Sequence, residues 1–251
     1  MGSRAPASRR FAVALVWLAS CHAPAVAPAP ARCDADAGAR PAVTFGQRAY
    51  DVAFTATSPY VVALERRIAA FDPCTLAELT HCDDPEGARR ILRVDGARRV
   101  TYVRGGGGVA HCDLQRGGAI TRDDAPAPAP SSRVQVGEVT LDLAGGVATL
   151  RPPGVPARVL PMTDEPLAVA LDAGAHLAAV ADRAGTISFF TVPHGLLLDR
   201  VRAHDRNAYA LRFDAARARV VSVSGAGQLD VRPIPPRPIA WVRTQSAGSP
   251  P

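Results

Sequence analysis

Two short runs in this chain set imidazole, thiol and carboxylate groups side by side: His81-Cys82-Asp83-Asp84 and His111-Cys112-Asp113. Thiolate together with imidazole is the ligand chemistry of Zn or Cu, and two such runs brought into contact would supply a full ligand set. Their positions argue against it. Cys112 falls in an apolar run that reads as a strand, where adjacent side chains point to opposite faces, so it does not chelate alongside its neighbours. The first run falls at a connection between repeats. No metal is assigned.

Other chemistry-bearing residues resolve in the same way. Gly105-Gly106-Gly107-Gly108 has the glycine content of a phosphate cradle, but such a cradle needs a following helix and usually a Lys with Ser or Thr. Here Val109-Ala110-His111 continues as strand, so the run is a hairpin turn. Ser224-Gly225 lacks the Gly-x-Ser-x-Gly arrangement of a nucleophile elbow. His204-Asp205 has no nucleophile near it in register, and no carboxylate pair stands out. The reading is therefore of a protein that is not an enzyme, with no catalytic residue and no cofactor.

The elements that carry these residues repeat roughly every forty residues, a period that implies stacked copies of one small sheet. In the clearest copies Leu177 to Ala181 forms a strand, Ala184-Gly185 a turn and Thr186 to Val192 the next strand; Arg219 to Val223, Ala226-Gly227 and Gln228 to Val231 repeat the order. Phe54, Val94, Leu171 and Phe213 close the first strand of successive copies, with one double interval. A weaker copy fills that interval: Val139 to Leu143, Ala144-Gly145-Gly146, and Val147 to Leu150. Five copies result, roughly 45–80, 86–122, 131–162, 165–203 and 206–243. The fold class is all-β, a β-propeller of about five four-stranded blades, either a closed ring or an incomplete, open arc completed by dimerisation or by a partner's strand. The outer strand of the last blade comes either from Ile239-Ala240-Trp241-Val242-Arg243 or, as a latch from the other end, from Ala42-Val43-Thr44-Phe45.

The copies resemble WD40-type repeats over most of the chain. Phe71-Asp72 and Cys112-Asp113 end the third strand, where that family places its Trp-Asp pair. His204-Asp205 sits where its Gly-His step introduces a repeat, and Val220 to Ser224 before a glycine turn looks like its second strand. No Trp-Asp dipeptide occurs, and Ala184 and Ala226 replace the usual turn Asp. The resemblance implies a docking platform.

The N-terminus supplies an address. Arg4, Arg9 and Arg10 precede an apolar run, Phe11 to Leu18, too short for the roughly 20 apolar residues that span a bilayer, so it reads as a signal peptide. Leu18-Ala19-Ser20-Cys21 then resembles a bacterial lipobox, which implies lipidation of Cys21 as the mature N-terminus. With His22 rather than Asp next, the resemblance favours the outer membrane in a Gram-negative cell. Acyl chains acting together anchor far better than one. The expected organisation is a signal peptide over 1–20, a Pro/Ala-rich tether over 21–40, the propeller over 41–243 and a disordered tail over 244–251.

The formal charge of +6 does not indicate nucleic acid. All 29 basic residues are Arg, as in the product of a GC-rich genome, and they do not cluster with aromatics as a nucleic-acid platform requires. Beyond Cys21, four thiols remain, Cys33, Cys74, Cys82 and Cys112, an even number that suggests disulfides in an oxidising compartment with the pairing left open. The sequence thus points to a non-catalytic envelope lipoprotein, membrane-bound through its lipid, whose propeller binds an unidentified envelope protein. The alternative is a propeller enzyme or cofactor protein of hydrolase or quinoprotein type with its site over the central channel.

Overall fold

A computed structural model describes residues 42–235, apart from 97, 116–117, 124–125 and 129–131. The short strand β1 (Ala42–Thr44) precedes four complete blades. Blade 1 is β2 (Ala49–Ala53), β3 (Tyr60–Leu64), β4 (Arg67–Phe71) and β5 (Glu78–Asp83). Blade 2 is β6 (Ala88–Asp95), β7 (Arg99–Arg104), β8 (Val109–Asp113) and β9 (Ala119–Asp123). The smallest, blade 3, has β10 (Arg133–Val136), β11 (Val139–Ala144), β12 (Val147–Arg151) and β13 (Arg158–Val159). Blade 4 is β14 (Pro166–Leu171), β15 (Leu177–Asp182), β16 (Thr186–Thr191) and β17 (Leu197–Arg202). Blade 5 takes three strands from the C-terminal side, β18 (Ala208–Asp214), β19 (Arg219–Ser224) and β20 (Gln228–Pro233). All five sheets are antiparallel and four-stranded, which makes the chain an all-β propeller.

The fourth strand of blade 5 is β1. It pairs antiparallel with β20, Val43 opposite Leu229, and the Phe45 amide donates to the Gly227 carbonyl at 2.6 Å. Of the two outer strands open to the sequence reading, the N-terminal latch is the one observed; 239–243 lie outside the described residues. The latch joins the two ends of the chain, and the seam it closes is further tied by the Tyr60 hydroxyl donating to Asp214 at 2.8 Å.

Strand periodicity explains why β3 is apolar throughout. In β3, Tyr60, Val62 and Leu64 pack toward blade 5, while Val61 and Ala63 pack toward blade 2. Both faces of this sheet are covered, so alternation between polar and apolar disappears and every residue of β3 is buried. Four apolar cores fill the seams between blades 5 and 1, 1 and 2, 3 and 4, and 4 and 5. Among the described residues, none spans the seam between blades 2 and 3.

The repeat glycines act between blades as well as within them. Gly185 (φ +83°) turns between β15 and β16, and a Cβ there would lie 2.4 Å from the His204 carbonyl oxygen in the connection entering blade 5. Gly227 (φ +77°) does the same between β19 and β20, with the Gln47 carbonyl oxygen at 2.1 Å. Each turn therefore nests against the connection into the next blade, at a distance only glycine permits.

Candidate functional site

Four of the five inner strands carry a β-bulge at the same place, one residue after the strand begins. The extra residue is Tyr50 in β2, Arg89 in β6, Leu167 in β14 and Tyr209 in β18. A bulge sets two residues against one and re-aims a side chain. All four of these side chains line one cavity of about 950 Å³ in the central channel. A second bulge in β6 adds Leu92 to the same wall. The sequence signal for this ring is faint: a bulky residue after the first residue of each inner strand, once per repeat.

The cavity does not stop at the inner strands. Val103 of β7 and Leu143 of β11 also line it, so it reaches past the inner strands at blades 2 and 3, between which no apolar core is found among the described residues. Leu143 packs as well against the core between blades 3 and 4. Ala127 and Pro128 of the connection between those blades contribute to it as well.

Its electrostatics are dominated by arginine. Arg89, Arg90, Arg133 and Arg212 line the cavity against one carboxylate, Asp51. Asp51 is buried and ties three inner strands together: Oδ1 accepts from the Val52 amide at 2.9 Å and from Arg212 Nη2 at 3.2 Å, and Oδ2 from the Ile91 amide at 2.9 Å. Burial pushes its carboxyl above the usual range, against the opposing pull of Arg212 and the two amides. Arg133 pairs with Asp142, which also accepts from Arg151 at 2.8 Å. The guanidinium of Arg89 lies over the Tyr50 ring, 4.1 Å from its centroid. Arg90 donates from Nη2 to the Pro128 carbonyl, while its Nε and the Tyr50 hydroxyl are buried with no protein partner.

The residues singled out in the sequence lie elsewhere. Cys82 on β5 and Cys112 on β8 are joined in a disulfide, Cα atoms 6.1 Å apart, which bolts the outer strand of blade 1 to the third strand of blade 2. The two Cys-containing runs thus do meet, but their sulfurs are spent on each other. The first run was expected at a connection; His81, Cys82 and Asp83 instead belong to β5, because the pairing of Arg67 with Asp83 carries that strand through them. Cys74, in the turn before β5, is also disulfide-bonded. Cys21 and Cys33 lie outside the described residues. His81 contacts Glu78, and His111 bonds Thr101 at 2.9 Å. Gly105 to Gly108 form the turn between β7 and β8. His204 is buried and bonds the Ser222 hydroxyl at 2.8 Å; burial holds its pKa below the ordinary histidine value.

Asp84 was grouped with the first run but has a different role. It accepts from the Tyr102 hydroxyl at 2.7 Å and from Arg104 Nε at 3.0 Å and Nη2 at 2.9 Å. Burial alone would raise its carboxyl pKa, and these bonds with the Arg104 charge bring it below the usual range.

No family model and no curated protein matches the chain. Among solved structures it is similar to Kluyveromyces lactis Hsv2 at 12% identity, covering 81% of each chain with a TM-score of 0.39. A form of that protein with loop 6CD replaced by a Gly-Ser linker gives 13% identity, 75% and 78% coverage and a TM-score of 0.38. The propeller assignment rests on the five sheets themselves.

Proposed function

We propose that this chain is an exported, lipid-anchored envelope protein whose propeller is a non-catalytic platform for protein–protein interaction. The Cys82–Cys112 disulfide carries the reading. Disulfides persist in oxidising compartments, so a bond between blades favours export on grounds independent of the N-terminal pattern. That pattern, Leu18-Ala19-Ser20-Cys21 behind an arginine-led apolar run, favours a lipid anchor at Cys21, and the Ala/Pro stretch after it a tether. The propeller supports the platform half of the reading: blades tied by buried cores hold exposed apolar side chains such as Leu79, Val159 and Leu196 at defined positions on its surface.

The cavity in the channel favours the second reading, an enzyme or cofactor protein of hydrolase or quinoprotein type, because it sits where such a site would lie and contains the protonatable Asp51.

Two measurements test the proposal. The intact mass of protein extracted from membranes should lack residues 1–20 and carry a diacylglyceryl group on Cys21; an unprocessed or lipid-free chain overturns the anchor. Photo-crosslinking residues placed at 79, 159 and 196 in cells should give discrete adducts with an envelope protein. Turnover in a substrate-depletion screen, without adducts, overturns the platform in favour of the enzyme.

A further inference from the structure

Four seams of this fold are filled by continuous apolar cores. Among the described residues, the seam between blades 2 and 3 holds a cavity and no core. Leu92 and Val103 line it from blade 2; Val134 and Leu143, which also pack against the core between blades 3 and 4, line it from blade 3. All four side chains remain partly exposed, Leu92 at 37%. Left to water, these surfaces forfeit the burial that stabilises the other seams.

The inner end of the same cavity is cationic. Arg212 is committed to Asp51, and Arg133 to Asp142. Arg89 and Arg90 make no ion pair within hydrogen-bond reach of a carboxylate among the described residues, although the Arg90 charge also pulls the Asp51 carboxyl down. Arg89 is exposed and stacks on Tyr50; Arg90 spends Nη2 on a backbone carbonyl, and its Nε and the Tyr50 hydroxyl, both buried, have no hydrogen-bond partner among the described residues. Positive charge in a low-dielectric cleft concentrates the local potential and draws in anions. Guanidinium groups also match carboxylate and phosphate oxygens in pairs.

We infer that the channel and the seam between blades 2 and 3 form one binding site for a small amphipathic organic anion. Its acid group sits on Arg89 and Arg90, and its apolar body lies against Leu92, Val103, Val134 and Leu143. The volume of about 950 Å³ is within the range of small-molecule sites, roughly 300–1,000 Å³. The bulges at Arg89 and Leu92 aim one charged and one apolar side chain of the same strand into this site. The inference stands apart from protein docking on the outer surface and survives if that reading fails.

Decanoate serves as the probe, with decan-1-ol supplying the same body without charge and acetate the charge without the body. The full chain carrying Cys21→Ser is used, so that no acyl group of its own competes, and binding is followed by calorimetry below the micelle concentration. Saturable one-site binding of decanoate with a negative heat-capacity change is expected, and both controls should bind at least about tenfold more weakly. Arg89→Ala should weaken decanoate about tenfold and leave decan-1-ol unchanged. Arg89 is exposed, so its melting temperature without ligand should match the parent. Leu92→Ser should weaken decanoate and decan-1-ol together. Absence of saturable decanoate binding, equal affinity for decan-1-ol, or an unchanged affinity in Arg89→Ala overturns the inference.

Discussion

Asp84 and His204 occupy the same place in two different blades. Asp84 precedes the inner strand of blade 2 as His204 precedes that of blade 5, and each bonds the equivalent residue of the second strand, Tyr102 and Ser222. The corresponding pairs at the start of blades 1 and 4 are apolar: Phe45 with Val62, and Met162 with Val180, each within one seam core. The position demands a contact that pins the incoming connection to the sheet. It does not prescribe the chemistry of that contact.

The two polar versions respond to pH differently. Burial keeps His204 neutral in the folded protein to lower pH than in the unfolded chain, where imidazole titrates near about 6.5. Its contribution to stability is therefore whole above that value and is lost as pH falls through it toward the folded pKa. Asp51, raised by burial, acts in the opposite sense and favours the fold as it protonates. Between pH 7 and 5 the melting temperature of the parent should fall more steeply than that of His204→Gln. Parallel curves would show that His204 does not titrate as described.

Asp84 is held low, so its contribution persists down to the ordinary carboxylate range and fades below about pH 4 as the pH passes its folded pKa. Removing its cation is costly at neutral pH. Arg104→Met leaves a buried carboxylate with only the Tyr102 hydroxyl and a backbone amide, and should cost about 3–5 kcal/mol in urea unfolding. Tyr102→Phe should cost about 1–2 kcal/mol. Equal costs for the two would mean that the ion pair adds nothing beyond one hydrogen bond.

The Cys82–Cys112 bond closes a separation of 30 residues. Chain entropy assigns such a loop about 3–4 kcal/mol. For a domain of this size, Cys112→Ser should lower the melting temperature on the order of 10 °C. Calorimetry of the parent with and without reductant should show a shift at least as large, because the Cys74 disulfide is reduced as well, and an unchanged transition would contradict it.

The latch depends on Phe45, which follows β1 and packs against Phe71 with ring centroids 5.0 Å apart. Phe45→Ala removes a buried aromatic from the seam that joins the chain ends and should cost about 3 kcal/mol or more. Amide hydrogen exchange should then rise first in β20, whose outer edge β1 covers. Exchange rising first in blade 3 would place the weak point elsewhere.

Much of the blade structure was legible before any coordinates. The strands over Leu177 to Ala181 and Arg219 to Val223, and the turns at Gly185 and Gly227, follow from local rules: apolar runs bounded by turn residues, repeated at one period. Even the faint third copy at Val139 to Leu150 is present as β11 and β12. The smallest of these signals act over a few residues, and the chain's immediate neighbourhood is enough to define them.

What the sequence determined by itself is the sheet content, the number of blades and the glycine turns between second and third strands. The tertiary structure decided which end of the chain completes blade 5, which thiols pair, and which seam, among the described residues, lacks a core. It also decided that Tyr50, Arg89, Leu167 and Tyr209 share one cavity. The physical reason is range. A strand's apolar pattern is set by its own residues, whereas the partner of Ala42–Thr44, or of Cys82, depends on which surfaces distant segments present once the blades have stacked. A bulge likewise arises from a count of two residues against one across a pair of strands, and a single strand does not contain that count.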